Sequence, residues 1–173
     1  MPTQVSSLRG AWREGVAECL PVRATALSLL LLPLALGCSR PLSSQALGLE
    51  FEPPAGVKFT SEEAGPPAVA RFEGGLELRS VPGTPPALDA APDAVLGAAG
   101  LPVPGTVMTT SQGSITAGAV ARYEFKQGDA RTLVYFLPRP DRFVLLTFTA
   151  PERDFGPRSG KVERALSSLK LLR

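Results

Sequence analysis

The segment 117–149, AGAVARYEFKQGDARTLVYFLPRPDRFVLLTFT, decides the fold. Apolar and charged residues alternate over 121–126, which predicts a strand with one buried face. The turn-forming runs QGD and RPD separate this strand from two more, at 131–137 and 142–149. Both later strands are apolar on both faces, so we expect them in the middle of an antiparallel sheet with layers above and below it.

The C-terminal segment 157–170 predicts a helix that covers one face of this sheet. Four apolar residues recur at helical spacing and form one stripe: Val162, Ala165, Leu166 and Leu169. Pro157 is expected in the first turn, where a missing backbone N–H costs little. We interpret the stripe as part of the core and not as a partner site.

Shorter elements are predicted upstream of the three-stranded segment. Strands are expected at 47–52, 57–59, 68–73, 76–80 and 106–111, with turns at 53–56 and 112–114 and a loop at 60–67. The pair Gly74-Gly75 marks a hairpin between two of these strands. A short helix is expected within 88–101, with Pro92 near its start.

The sequence contains no G-x-S-x-G, no P-loop, no Cys/His ligand cluster and no G-x-G-x-x-G after a strand, so an enzyme would have to use acidic residues. The chain has no His, which removes the commonest general base and the commonest metal ligand. The adjacent Glu62 and Glu63 could form an acid/base pair, but charged residues before Gly-Pro-Pro are interpreted as solvated. Asp129 and Asp141 lie in predicted turns, where Asp is favoured for backbone reasons. We therefore expect a protein that is not an enzyme, with no metal site and no cofactor.

A second informative stretch is 22–39, VRATALSLLLLPLALGCS. After Arg23, an uncharged apolar run extends over 24–37, and as a helix it would span about 21 Å, against about 30 Å for the hydrocarbon core of a membrane. Pro33 also interrupts the run. The stretch is therefore too short for a permanent span and is typical of the apolar part of a signal peptide.

The end of this run resembles the lipobox of bacterial lipoproteins. Residues 34–38 read LALGC, with Gly directly before Cys. The resemblance implies cleavage after Gly37 and a diacylglycerol group on the thiol of Cys38, which would anchor the protein to a membrane. Ser39 stands where Asp would favour retention at the inner membrane, so we expect the outer membrane, with the domain facing the periplasm. An ordinary signal peptide is the alternative.

These features divide the chain into a signal peptide at 1–37, a lipidated tether at 38–46 and one globular domain at 47–173. Translation from Val16 or Val22 is an open alternative for 1–21. The two cysteines lie at 19 and 38, so no disulfide is expected in the domain. A net charge of +2, with basic and acidic residues interspersed, argues against a nucleic-acid partner.

The order of elements resembles the Mog/PsbP/DcrB-like α/β/α sandwich. The resemblance rests on the residues RYEF at 122–125, the aromatic strands at 134–136 and 143–148, and the ending ALSSLK at 165–170. It implies an α+β fold, in which helices cover an antiparallel sheet in a single domain. Members of that superfamily are mostly binding or assembly proteins, and they share no catalytic residues that could be transferred to this chain.

We therefore expect a lipid-anchored, non-enzymatic envelope lipoprotein that binds or helps to assemble a membrane-associated protein partner. The alternative is a periplasmic carrier of a hydrophobic ligand, with its pocket between helix 157–170 and the sheet. A carrier predicts an apolar cavity of about 300 Å³ or more. A binding or assembly protein predicts a filled core and an exposed apolar patch.

Overall fold

The computed structural model describes residues 41–172, which contain ten strands and two α-helices. The strands are β1 (Leu42–Ser44), β2 (Leu49–Phe51), β3 (Phe59–Glu63), β4 (Ala68–Phe72), β5 (Leu76–Pro82), β6 (Thr106–Ile115), β7 (Gly118–Gln127), β8 (Ala130–Pro138), β9 (Arg142–Pro151) and β10 (Lys170–Leu171). The helices are α1 (Pro92–Ala98) and α2 (Glu152–Ala165), and a 3₁₀ turn (Leu166–Ser168) follows α2.

Seven strands form one antiparallel sheet in the order β3-β4-β5-β9-β8-β7-β6. The predicted run of three strands is confirmed as β7, β8 and β9, and the two-sided apolar strands β8 and β9 lie at and next to the centre. A small sheet, β1-β2-β10, joins the N-terminal part of the domain to its C-terminal end.

Helices α1 and α2 lie on opposite faces of the large sheet, so the fold is an α+β sandwich of three layers, as predicted. The face that packs against α2 and the small sheet is called the α2 face, and the opposite one the α1 face. Buried residues of the α2 face include Leu49, Phe51, Leu133, Leu146, Phe155, Val162 and Leu166. Those of the α1 face include Val95, Leu96, Tyr123, Phe125, Phe136, Phe143 and Leu145. Alternation along each strand sends successive residues to the two cores.

The hairpin predicted at Gly74-Gly75 is confirmed, and its second glycine is required by the packing. Gly75 has φ +82°, and a Cβ at this position would lie 2.3 Å from the carbonyl oxygen of Thr149. The backbone N–H of Thr149 donates to the carbonyl of Gly75 at 3.0 Å. The absence of a side chain therefore allows the hairpin to approach β9.

Helix α2 begins at Glu152, five residues earlier than predicted, so Pro157 lies inside the helix and not in its first turn. The early start buries Phe155, whose ring stacks on Phe148 at a centroid distance of 5.9 Å. Proline removes one helical hydrogen bond to the carbonyl of Arg153, a residue at the surface where water can replace it. The helix also ends early, because Lys170–Leu171 forms a strand with β2.

Other differences from the prediction occur where side chains are exposed. The expected loop at 60–67 contains most of β3, and the expected turn at 112–114 belongs to β6, whose turn lies at 116–117. Both are edge strands with almost no buried residues, so no hydrophobic alternation marks them. The predicted strand 47–52 is shorter, at Leu49–Phe51, and pairs with β1 inside the segment expected to be a tether. Helix α1 is confirmed, with Pro92 in its first turn.

No helix within residues 41–172 is long and apolar enough to cross a membrane.

Candidate functional site

The two residues predicted to carry the lipoprotein chemistry, Gly37 and Cys38, lie outside the described residues. Cleavage and lipidation therefore stay predictions. Three features of the described residues bear on function. They are the acidic residues considered as catalytic candidates, the region between α2 and the sheet, and the edges of the sheet.

The acidic pair Glu62-Glu63 lies on edge strand β3, where each side chain has its own partner. Glu63 forms an ion pair with Arg71 at 2.5 Å, and this guanidinium lowers the pKa of the Glu63 carboxyl. Glu62 accepts a hydrogen bond from the hydroxyl of Ser44. An ion-paired carboxylate with a lowered pKa, such as Glu63, is a poor general acid, and Glu62 is held by a separate partner, so the two side chains do not share one site.

The two aspartates predicted in turns are found there. The carboxylate of Asp141 pairs with Arg142 at 3.1 Å, and this contact lowers the pKa of Asp141. The backbone carbonyl of Asp129 accepts a hydrogen bond from the N–H of Glu152 at 2.7 Å. In the part of the chain that the structure describes, no group of three or more His, Cys, Asp or Glu side chains could hold a metal ion.

A charged network lies on the α2 face between β7, β8 and α2. Its centre is Glu124, a residue only 6% exposed, which is held by the guanidinium groups of Arg122 and Arg131. Arg122 also contacts Glu163 of α2 at 3.2 Å. The guanidinium of Arg131 lies over the ring of Phe155, 4.6 Å from its centroid. The network therefore fastens helix α2 to the sheet.

Two further pairs complete this network at its ends. Lys126 contacts Glu152 at 2.5 Å, which lowers the pKa of the Glu152 carboxyl. The hydroxyl of Tyr135 donates to Glu163 at 3.2 Å, and burial raises the pKa of this tyrosine. Each carboxylate of the network faces a cation, so none is left as a free base. The sequence did contain a signal, because Arg122, Glu124 and Lys126 share one face of β7.

The space between α2 and the sheet is filled by side chains. Phe155, Val162 and Leu166 point from the helix region into the core and are at most 3% exposed. The grooves beside the helix are open to solvent and have charged rims. One of about 390 Å³ lies between the loop after β2 and the second half of α2, and includes Lys161 and Arg164. This filling disfavours the predicted ligand pocket under the helix.

A second groove, of about 290 Å³, lies between the Gly74 hairpin and α2. Arg158 crosses it, because its guanidinium donates to the carbonyl of Gly74 at 2.8 Å and lies 5.4 Å from the ring centroid of Phe148. The groove is thus bridged by a charged side chain of the protein itself.

Among the described residues four large apolar side chains are exposed, and two of them lie on the edge strand β6. Val107 is 43% exposed and Met108 54% exposed, both on β6, and Val103 on the preceding segment is 43% exposed. Phe59, at the opposite edge, is 44% exposed and packs against Phe72 with 5.8 Å between ring centroids. Val107 and Met108 are adjacent in sequence, so this edge strand carries two exposed apolar side chains.

The fold is similar to those of several solved structures, and two of them show the extent of the likeness. The solution structure of cyanobacterial PsbP (CyanoP) from Synechocystis sp. PCC 6803 matches with a TM-score of 0.51 and 13% identity, over 80% of this chain and 95% of the other. A crystal structure from Bacteroides thetaiotaomicron VPI-5482 matches with a TM-score of 0.52 and 12% identity over 79% of this chain. The chain spans about half of that second structure, 49% of its length.

Comparison with family models finds no match, and none of the curated proteins compared is similar in sequence. At identities of 12% and 13% the structural likeness shows the fold alone. The predicted PsbP-like fold is thus confirmed, while the likeness assigns no ligand or partner.

Proposed function

We propose that this chain is a lipid-anchored envelope protein that binds or helps to assemble a membrane-associated protein and catalyses no reaction. Cleavage would follow Gly37, and lipid on Cys38 would hold the domain at the outer membrane, facing the periplasm. The domain itself would supply a binding surface.

The start of the first strand is the observation that carries this proposal. Strand β1 begins at Leu42, and only residues 39–41 separate it from Cys38. Even when fully extended, the chain from Cys38 to Leu42 spans about 14 Å. A lipid on Cys38 would therefore hold the folded domain close to the membrane surface, where its partners would be proteins of the same membrane.

The pairing of the carboxylates and the packing of the cores support binding over catalysis. The carboxylates of the α2-face network are paired with cations, and Glu63 and Asp141 have lowered pKa values because of neighbouring arginines. Within residues 41–172 both cores are built from buried apolar side chains, so we expect the domain to bind through its surface. The PsbP-like fold is consistent with this role, although it does not identify a partner.

The anchor is tested by metabolic labelling with a lipid precursor in cells that express the full chain. We expect Cys38→Ala to abolish labelling, because the thiol that receives the diacylglycerol group is gone. Cys19→Ala is the matched control, since it removes the only other cysteine and should leave labelling intact. Labelling that persists in Cys38→Ala would contradict the anchor.

The binding role is tested by crosslinking the native protein in cells and identifying both proteins and lipids by mass spectrometry. We expect one recurrent envelope protein, which is lost in Cys38→Ala because the domain leaves the membrane. Recovery of a hydrophobic ligand without any protein partner would instead support the carrier.

A further inference from the structure

Strand β6 forms an unprotected edge of the large sheet. It is ten residues long, pairs only with β7 among the described strands, and is exposed at every position from Thr106 to Ser114. Its sequence, TVMTTSQGSI, contains no charged residue and no proline. An edge of this length offers a row of backbone N–H and C=O groups to another strand, and proteins usually block such edges with charges or proline.

The opposite edge shows what such protection looks like in the same domain. Strand β3 has five residues, a register shift between Phe59 and Ser61, and two adjacent glutamates. One of them, Glu63, pairs with Arg71, and the other contacts Ser44 of the small sheet. Strand β3 is therefore protected against pairing with another strand, whereas β6 is not.

We propose that β6 pairs antiparallel with β6 of a second copy of this chain, so that two seven-stranded sheets join across a twofold axis. In such a pair, residues opposite each other must lie on the same face of the joined sheet. Any axis that passes through a residue of β6 meets this condition, and the axis at Ser111 is the one that pairs the strand over its full length, from Thr106 to Ile115. Its opposing pairs are Ser111–Ser111, Thr110–Gln112, Thr109–Gly113, Val107–Ser114 and Thr106–Ile115.

This self-pairing is compatible with the charge and shape of the strand. Because β6 is uncharged, no like charges face each other across the axis. The irregularity between Val107 and Thr109 places the extra residue, Met108, near Ser114 of the second copy, and Gly113 leaves room there. Hydroxyl and amide side chains at the centre can form cross-strand hydrogen bonds.

The expected dimer is reversible. Ten residues at about 3.4 Å each, in a sheet about 10 Å thick, give a contact of roughly 340 Å² per copy, or roughly 680 Å² in total. Stable interfaces bury about 1,200 Å² or more. The estimated contact is smaller than that, so we expect association that depends on concentration and not a permanent dimer. The pairing does not depend on the lipid anchor.

The test measures the oligomeric state of the full-length protein in density-matched detergent by sedimentation equilibrium over a wide concentration range. We expect reversible dimers of the wild type. Ser111→Lys and Ser111→Glu each place two like charges opposite each other at the axis, and each should raise the dissociation constant about tenfold or more. An equimolar mixture of the two variants should recover dimers, because Lys then faces Glu.

Ser61→Lys, an exposed serine on β3, is the matched control at the other edge and should leave the dimer unchanged. Circular dichroism checks that every variant is folded, and recovery in the mixture distinguishes repulsion at the axis from loss of structure. A monomer at every concentration, or a dimer that neither Ser111 variant weakens, would overturn the proposal. Crosslinking of the Ser111 position to a different envelope protein in cells would also overturn it, and would assign the edge to that partner.

Discussion

The two faces of the seven-stranded sheet are covered in different ways. The α1 face is covered by a seven-residue helix, and its core contains four aromatic side chains of the sheet: Tyr123, Phe125, Phe136 and Phe143. The α2 face is covered by a fourteen-residue helix and a small sheet, and combines an apolar core with the charged network around Glu124. Aromatic residues make up four of the eleven buried residues of the α1-face core, against four of nineteen on the α2 face, so large side chains of the sheet fill more of the space under the shorter helix.

This difference predicts how each face responds to substitution. On the α1 face, packing depends on a few large side chains beneath a small cover. On the α2 face, packing is distributed over a longer helix, a second sheet and several ion pairs. We therefore expect the largest single losses of stability on the α1 face and smaller, more varied losses on the α2 face.

The strongest test compares Phe136→Ala with Phe155→Ala. Phe136 is fully buried on the α1 face, 5.6 Å from the ring centroid of Phe143. Removing a buried phenylalanine costs about 3–5 kcal/mol, depending on how far the site can collapse. We expect Phe136→Ala at the upper end, because strands surround it, and Phe155→Ala at the lower end, because Arg131 and Arg158 can move toward the space it leaves.

Urea denaturation of the two variants and the wild type measures these losses as changes in the free energy of unfolding. Equal losses, or a larger loss for Phe155→Ala, would show that the two faces do not differ in the way proposed.

The second test removes the centre of the charged network. Glu124→Ala leaves Arg122 and Arg131 without their shared buried carboxylate, although Glu163 and Glu152 still contact them. We expect a loss of about 2–3 kcal/mol in the free energy of unfolding, because unpaired buried charges are costly but these arginines keep other partners.

Glu163→Ala is the matched control for this test, because it removes a carboxylate of the same network whose side chain is 39% exposed. Its loss should be clearly smaller than that of Glu124→Ala. If the two losses are equal, burial does not set the importance of residues in the network.

Burial also explains which parts of the structure could be predicted from the sequence. Strand β7 was predicted because its residues alternate between a core and a charged face, which gives a periodic pattern. Strands β8 and β9 were predicted because turn residues bound their continuous apolar runs. Strands β3 and β6 were misassigned in part because edge strands with exposed side chains have no such pattern. The start of α2 was missed because Pro157 normally marks a first turn, whereas burial of Phe155 favours an earlier start.

The candidate functional residues also differ in how far the sequence alone could predict their contacts. The roles of Glu62, Glu63, Asp129 and Asp141 could be judged in advance from their neighbours in sequence. The network around Glu124 could be judged only in part. The sequence shows that Arg122 and Glu124 share one face of β7, but the contact between Arg122 and Glu163 joins residues 41 positions apart. The bare edge at β6 was likewise invisible, because it appears only when the order of strands is known.

The smallest expected effect concerns one tyrosine on each face, Tyr123, which is buried, and Tyr135, which is partly buried. Tyr123 donates to the carbonyl of Ala90 at 3.0 Å on the α1 face, and Tyr135 donates to Glu163 on the α2 face. Burial raises the pKa of both, assisted by Asp89 near Tyr123 and by Glu163 near Tyr135. A raised pKa means that the folded state keeps its proton where the unfolded state loses it. The stability linked to each tyrosine is therefore present below about pH 10 and lost as the pH rises further.

Tyr123→Phe removes one hydrogen bond and should cost about 1 kcal/mol at neutral pH. It should also flatten the fall of stability above about pH 10, because the group that titrates is gone. Tyr135→Phe should flatten the same fall less, since Tyr135 stays partly exposed to water in the folded state whereas Tyr123 does not. Unfolding free energies measured from pH 7 to pH 11 test both variants. A steeper loss of unfolding free energy at alkaline pH in Tyr123→Phe would contradict the raised pKa of Tyr123. An equal flattening in both variants would show that the partial exposure of Tyr135 makes no difference.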